Sequence, residues 1–124
     1  MLVTFYGVRG SIASPGPKTV KYGGNTSCVH IRLNDGNNII FDAGTGIREL
    51  GVRLSQNNEP LLLLLSHGHW DHIQGYPFFA PIYQPDREIK IIQGIGRDAV
   101  SLKAILEQMD GSTFPVRADD LPSK

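Results

Sequence analysis

The chain has 124 residues, 40% apolar and 19% charged, and its twelve basic and twelve acidic side chains cancel. That length supports one domain with a real core, and the balance excludes a bulk basic field for nucleic acid or an anionic membrane. The single cysteine, Cys28, excludes an internal disulfide; no signal-peptide core or bilayer-length apolar run is present, so a cytoplasmic protein is expected.

The first segment, "LVTFYGV" from Leu2 to Val8, is rich in β-branched and aromatic residues and predicts a strand. From Arg9 to Ser27 the chain is dense in Gly, Pro, Ser and Asn, which predicts a long loop of the kind that is usually functional. "NTS" at Asn25 to Ser27 reads as a turn inside it. "CVHIRL" alternates, with Val29, Ile31 and Leu33 expected on the buried face and Cys28, His30 and Arg32 on the other. "NDGNN" predicts a hairpin with Asp35 and Gly36 at the positive-φ positions, and Ile39 to Phe41 returns as the partner strand.

"DAGTG" ends that strand, and Ile47, Leu50 and Leu54 then fall at helical spacing. Pro60 precedes five leucines, Leu61 to Leu65, which predict a buried strand. A short helix is expected from His72 to Tyr76, stopped by Pro77, and a further strand from Glu88 to Gln93. The strongest helical pattern runs from Asp98, as N-cap, to Gly111, as C-cap, with Leu102, Ile105, Leu106 and Met109 as its stripe. The tail after Gly111 is polar and expected to fray. The order is β–β–β–α–β–α–β–α, an α/β arrangement opening with antiparallel strands.

The chemistry concentrates in "SHGHWDH", where His67, His69, Asp71 and His72 follow the leucine strand directly. Residues two apart on an extended chain point the same way, so His67 and His69 can converge, with Gly68 leaving the approach open. Asp71 and His72 lie where the chain turns into a helix and can return to the same space. Imidazole nitrogen and carboxylate oxygen are the donors that Zn²⁺ and similar divalent ions accept. A lone histidine is more often packed or solvent-facing, and His30 reads that way.

"SHGHWDH" resembles the H-x-H-x-D-H signature of the metallo-β-lactamase superfamily. "FDAGTG" at Phe41 to Gly46 is similar to that superfamily's earlier aspartate motif, and "FYGVRGS" and "YGGNTSC" resemble the branch near ribonuclease Z and the cyclic-nucleotide phosphodiesterases. The resemblance implies a four-layer αββα sandwich of two similar halves, of which residues 1–124 would form the N-terminal half as one incomplete domain. It implies that His67 and His69 ligate one metal and Asp71 and His72 a second, with Asp71 also counted as catalytic. Asp42 would stand behind the ligands and position their loop.

One or two Zn²⁺ ions are implied, with Mn²⁺ or Fe as substitutes. The activity implied is hydrolysis of a phosphodiester, in a small molecule or nucleotide, by a metal-held hydroxide. The superfamily's later histidines and bridging carboxylate have no counterpart here, because no histidine follows His72. The alternative is therefore a catalytically incomplete metal-binding or interaction module. A homo-oligomer or a missing C-terminal half is expected to complete it, and no membrane partner is expected.

Weaker signals remain. "GIGRDA", Gly94 to Ala99, formally matches G-x-G-x-x-A, with Asp119 and Asp120 downstream, but a tight strand–helix turn is the favoured reading over a nucleotide site at Gly94 and Gly96. Cys28 reads as a buried structural thiol. Arg9, Lys18 and Lys21 could meet a phosphate, though each alone reads as a solvated loop residue.

Overall fold

The structure is a computed structural model and describes residues 1–94 and 101–124. Five strands form one sheet in the order β1 (Leu2–Gly7), β2 (Cys28–Arg32), β3 (Asn38–Phe41), β4 (Leu61–Leu65), β5 (Ile89–Gln93). The first three pair antiparallel and the last three parallel. Helices α1 (Ile47–Leu54), α2 (Trp70–Ile73) and α3 (Ser101–Glu107) complete the α/β arrangement. No helix among the described residues is long and apolar enough to cross a membrane.

Register decides which residues make the core. His30, Ile40, Leu63 and Ile91 pair across the sheet in one row, and the buried side of β4 also presents Leu61 and Leu65. Ile47, Leu50 and Leu54 of α1 fill the space above that face with Phe79 and Ile82, and Ile105 and Met109 join the same core. Removing a fully buried side chain such as Leu50 typically costs about 2–5 kcal/mol.

The opposite sheet face is apolar and uncovered. The rows Phe5, Val29, Phe41, Leu64, Ile92 and Val3, Ile31, Ile39, Leu62 lie on it, the second ending at Lys90, with Phe5 67% exposed and Phe41 40% exposed. This corrects two expectations. The leucine run is buried on one face alone, since Leu62 and Leu64 are half-buried. In β2 it is Cys28 and His30 that turn toward the helices, and Val29 and Ile31 that face the open side. A one-residue choice of face inverts every side chain, and alternation cannot reveal which face the helices cover.

Other differences have local causes. At the hairpin Gly36 takes the positive φ, whereas Asp35 accepts the Asn37 N–H through Oδ1. The helix after the histidines starts earlier, at Trp70, and Pro77 sits inside a 3-10 turn, Tyr76–Phe78, where a missing N–H costs nothing. α3 ends at Glu107 and its Leu106 is exposed; Asp98 lies outside the described residues. The tail does not fray. Phe114, Val116, Ala118 and Leu121 pack on the core, and Lys124 exchanges backbone hydrogen bonds with Arg87 and Ile89. Arg87 itself is fully buried, donating to the carbonyls of Leu54 and Asn57 beyond the end of α1.

Buried His30 hydrogen-bonds Asn38 Oδ1 through Nε2 at 2.9 Å. Burial pushes its pKa below the ordinary 6.5, although the Asn38 bond acts in the opposite direction. The unfolded chain therefore takes up this proton first as pH falls. The stabilisation is whole above pH 6.5 and is lost as pH falls through the folded value. Urea unfolding between pH 7.5 and 5.5 should show a steeper loss of stability in the parent than in His30→Gln, by less than one proton's worth of slope. Equal slopes would show that His30 is not held neutral.

Candidate metal centre

β3 and β4 run parallel and end side by side, and the carboxyl ends of parallel strands are where α/β sheets collect ligands. At the end of β3 the chain turns sharply at Asp42, whose φ is +62°. Aspartate tolerates this left-handed conformation better than most residues. The backbone N–H of Asp42 still bonds Leu64 of β4, so its carboxylate is delivered to the end of the neighbouring strand.

There the carboxylate is buried and saturated. Oδ1 accepts Ser66 N at 2.8 Å, and Ser66 Oγ lies 2.8 Å from Oδ1 and 2.9 Å from Oδ2. Oδ2 also accepts His72 Nδ1 at 2.8 Å and Ser27 Oγ at 3.3 Å. No N-terminal cap of α1 is involved, since that helix begins at Ile47 without a side-chain cap.

These contacts place a proton on Nδ1 of two rings. An ionised carboxylate only accepts, so the proton in the 2.8 Å bond sits on His72 Nδ1. Ser66 Oγ gives its single proton to Asp42, so its 3.0 Å contact with His67 Nδ1 requires that nitrogen to carry a proton too. Nε2 is then the nitrogen of each ring that neither Asp42 nor Ser66 engages. A carboxylate behind the far nitrogen is the arrangement that orients metal-binding histidines.

The three imidazoles are adjacent. The His67 ring centroid lies 4.0 Å from that of His72 and 4.5 Å from that of His69. Asp71 Oδ2 is 3.4 Å from His72 Nε2 and accepts the Ser11 N–H at 2.9 Å. That hydrogen bond is the main reason the Asp71 carboxyl lies below its usual range. Among the described residues, no three His, Cys, Asp or Glu side chains stand as a ready-made ligand set, and the three rings pack against one another. The donor chemistry nevertheless fits a divalent ion: Nε2 nitrogens on two rings that Asp42 and Ser66 leave unengaged, a third ring beside them and a carboxylate.

Three segments hold the loop by backbone contacts. Ala43 N bonds His72 O at 2.7 Å, Gly75 N bonds Ala43 O at 2.8 Å and Gly44 N bonds Ser27 O at 2.9 Å. Gly44 is necessary at this crossing, since a Cβ there would stand 2.3 Å from Asp71 O and 2.5 Å from Thr26 Oγ1.

Sequence reasoning missed Ser66, Ser11 and Thr26. Ser66 had a signal, being the one hydroxyl between the leucine strand and His67. Ser11 acts through its backbone N–H, which leaves no mark in sequence. Of the other candidates, His30 stays with Asn38, and Cys28 is buried with its thiol pushed up to about 12 by burial and then by the Asp42 charge. Arg9 and Lys18 line a hollow of about 510 Å³ that includes no residue of the histidine loop. Asp119 and Asp120 are exposed in a 3-10 turn, and residues 95–99 of the glycine motif lie outside the described residues.

A family model of the metallo-beta-lactamase superfamily matches residues 22–89, more than half of the chain, including Asp42 and the whole histidine loop. The chain belongs to the metallo-beta-lactamase superfamily. Its mixed five-stranded sheet is that of a partial metallo-beta-lactamase-like fold. A curated relative is the UPF0173 metal-dependent hydrolase of Enterococcus faecalis (strain ATCC 700802 / V583), 43% identical over 47 residues. The match covers 38% of this chain and 21% of the relative, so the chain spans about a fifth of that protein's length. No solved structure matches the chain.

Replacing Gly44 by Ala should destabilise the protein by about 1–3 kcal/mol, the range of an overpacked core position. Thermal unfolding should show a drop on the order of 10 °C. Gly10→Ala is the control, because nothing lies within 4 Å of a Cβ there. Two variants with equal melting temperatures would contradict the close crossing of these loops.

Proposed function

We propose that this chain carries the metal-binding half of a metal-dependent hydrolase acting on phosphodiesters. The observation that carries the reading is the Asp42 carboxylate, which holds His72 directly and His67 through Ser66, both by Nδ1, so that Nε2 of each ring is turned away from it. His67, His69, Asp71 and His72 are the residues that would hold one or two divalent ions, Zn²⁺ being the best match to this donor set. A divalent ion bound there supplies Lewis acidity toward a phosphoryl oxygen and makes water acidic enough to react near neutral pH.

The chain's own residues prepare that chemistry. Asp42 and Ser66 keep protons on the Nδ1 atoms, away from the ligand side. Ser11 orients Asp71 and keeps it ionised. The loop from Arg9 to Ser27 contributes Ser11 to the site and carries Arg9, Lys18 and Lys21, cations suited to an anionic ester. The relative's name, metal-dependent hydrolase, supports the reaction class, and the resemblance to the phosphodiesterase branch supports the substrate class.

A second reading is favoured by the donor count. His67 and His69 give the first metal two protein ligands, whereas catalytic zinc normally has three. A chain that binds metal and hydrolyses nothing would be a metal-binding or interaction module. Elemental analysis should find stoichiometric zinc in the parent and none in the double variant His67→Ala, His69→Ala, with zinc-dependent hydrolysis of bis(4-nitrophenyl) phosphate lost in parallel. Metal retained by the double variant would refute the ligand assignment. Metal bound without hydrolysis of any phosphodiester, ester or amide would leave the module reading.

The uncovered sheet face bears on assembly. Five strands about 4.8 Å apart and about 17 Å long present roughly 400 Å² of flat area, comparable with the largest apolar patches tolerated on monomers. We take a second copy of the chain as its occupant, sheet against sheet, with a complementary half as the rival. Sedimentation should show dimers or larger species at micromolar concentration, shifted toward monomer by Phe5→Lys with Phe41→Lys. A stable parental monomer would contradict this.

A further inference from the structure

The loop that follows β1 reaches the histidine loop at a strained point. Ser11 has φ +71°, and the Ile12 N–H closes onto the Gly10 carbonyl at 2.9 Å, so residues 10–12 form a γ-turn centred on Ser11. A γ-turn with positive φ is rare and strained for a residue that carries a side chain. Ser11 is exposed, and a Cβ on Gly10 beside it would meet nothing within 4 Å, so local packing does not impose the turn. Yet the Ser11 N–H is the group that holds Asp71 Oδ2 at 2.9 Å. Strained backbone at such a point persists only where the surrounding structure over-determines it.

Here that structure is a clasp between two threonines. Both ends of the segment carrying Ser11 are tied to one stretch of chain, Arg9 N–H to Asn25 O at 2.9 Å and Ser14 N–H to Gly24 O at 2.8 Å. Thr45, in the turn that leads into α1, holds that stretch in place. Thr26 N–H donates to Thr45 Oγ1 at 2.8 Å, and Thr45 N–H donates to Thr26 Oγ1 at 2.8 Å. The Thr45 hydroxyl then donates to Asn25 Oδ1 at 3.1 Å. Thr26 is fully buried, and a Cβ on Gly7 would stand 1.8 Å from its carbonyl oxygen, which leaves no room toward β1. From the other side Gln74 Nε2, just beyond α2, reaches Thr26 Oγ1 at 3.4 Å. Thr26 lies in "NTS" and Thr45 in "DAGTG", two motifs that sequence alone does not join.

We propose that Thr45 is a positioning residue for the metal centre: through Asn25 and Thr26 it holds the first loop so that the Ser11 N–H aims the Asp71 carboxylate beside His72 Nε2. The metal end of this proposal rests on the reading of His67, His69, Asp71 and His72 as ligands; the hold on Asp71 does not. A carboxylate that ligates a metal is itself hydrogen-bonded, and loss of such an outer partner typically costs about 10–100-fold in metal affinity. The outer partner of Asp71 is a backbone N–H, which a side-chain replacement does not remove. Control of it therefore passes to the side chain that fixes the backbone. Asp42 aims the imidazoles, and Thr45 aims the carboxylate.

The test compares Thr45→Val, which keeps the shape and loses the hydroxyl, with Thr45→Ser, which keeps the hydroxyl. The first readout is the Ser11 amide proton in ¹⁵N–¹H spectra of the metal-free chain, shifted downfield by its charge-assisted bond to Asp71. It should move upfield in Thr45→Val and in Asp71→Asn, and stay in place in Thr45→Ser. The second readout is zinc affinity, measured by competition with a chromophoric chelator. It should fall about 10–100-fold in Thr45→Val and be restored in Thr45→Ser. On an Asp71→Asn background Thr45→Val should cost no further affinity, because changes that act through one contact do not add. Should Thr45→Val fail to fold, Asn25→Ala removes one arm of the clasp and is judged by the same amide shift. An unmoved Ser11 amide in the folded variant, or the same loss of zinc with and without Asp71, would overturn the proposal. A chain whose Ser11 amide responds as described but that takes up no zinc would keep the hold on Asp71 and lose the metal reading. One that binds zinc while the amide stays unmoved would lose the positioning role alone.

Discussion

The arrangement depends on one carboxylate at the junction of two parallel strands. Asp42 turns the chain at the end of β3, and its two oxygens collect hydrogen bonds from the start of the histidine loop, from His72 and from the loop that follows β1. Without it, Ser66 would lose its acceptor, and His67 and His72 would lose what fixes their ring protons. A buried carboxylate is costly unless every lone pair is answered, and here donors from three segments answer it. The same contacts make the loops mutually dependent: Gly44 touches Ser27 on one side and the histidine loop on the other.

The molecule is closed and polar at the strand ends and open and apolar on one sheet face. The helices seal the face bearing Ile40 and Leu63, up to the strand ends where the histidines leave them. The other face is uncovered, although its rows of Phe, Val, Ile and Leu are those of a buried interior. Both faces of the parallel strands are largely apolar, the exceptions being Asn38 on the covered side and Lys90 on the open one. A parallel pair built to be covered on both sides reads as a continuous hydrophobic run, as Leu61 to Leu65 does.

Much of this was legible in the sequence because the signals were local. The strand before the histidines, the helical spacing of Ile47, Leu50 and Leu54, and the element order all follow from short-range periodicity. The histidine loop stood out because His67, His69, Asp71 and His72 are contiguous. What stayed hidden was long-range. The inward face of Cys28 and His30 depends on where the helices pack, and the ordering of the tail depends on backbone bonds between Lys124 and β5. The contribution of Ser11 lies sixty positions from Asp71 and uses a backbone N–H. The clasp between Thr26 and Thr45 joins the first loop to the turn before α1, a proximity that no periodicity encodes.

The most direct test of the account is the protonation pattern of the histidine rings in the metal-free protein, read by long-range proton–nitrogen correlation NMR with ¹⁵N-labelled histidine at neutral pH. His67 and His72 should both show protonated Nδ1, with the Nε2 resonances moving when zinc is added. An unprotonated Nδ1 on either ring would contradict the claim that Asp42 and Ser66 set the rings to receive a metal.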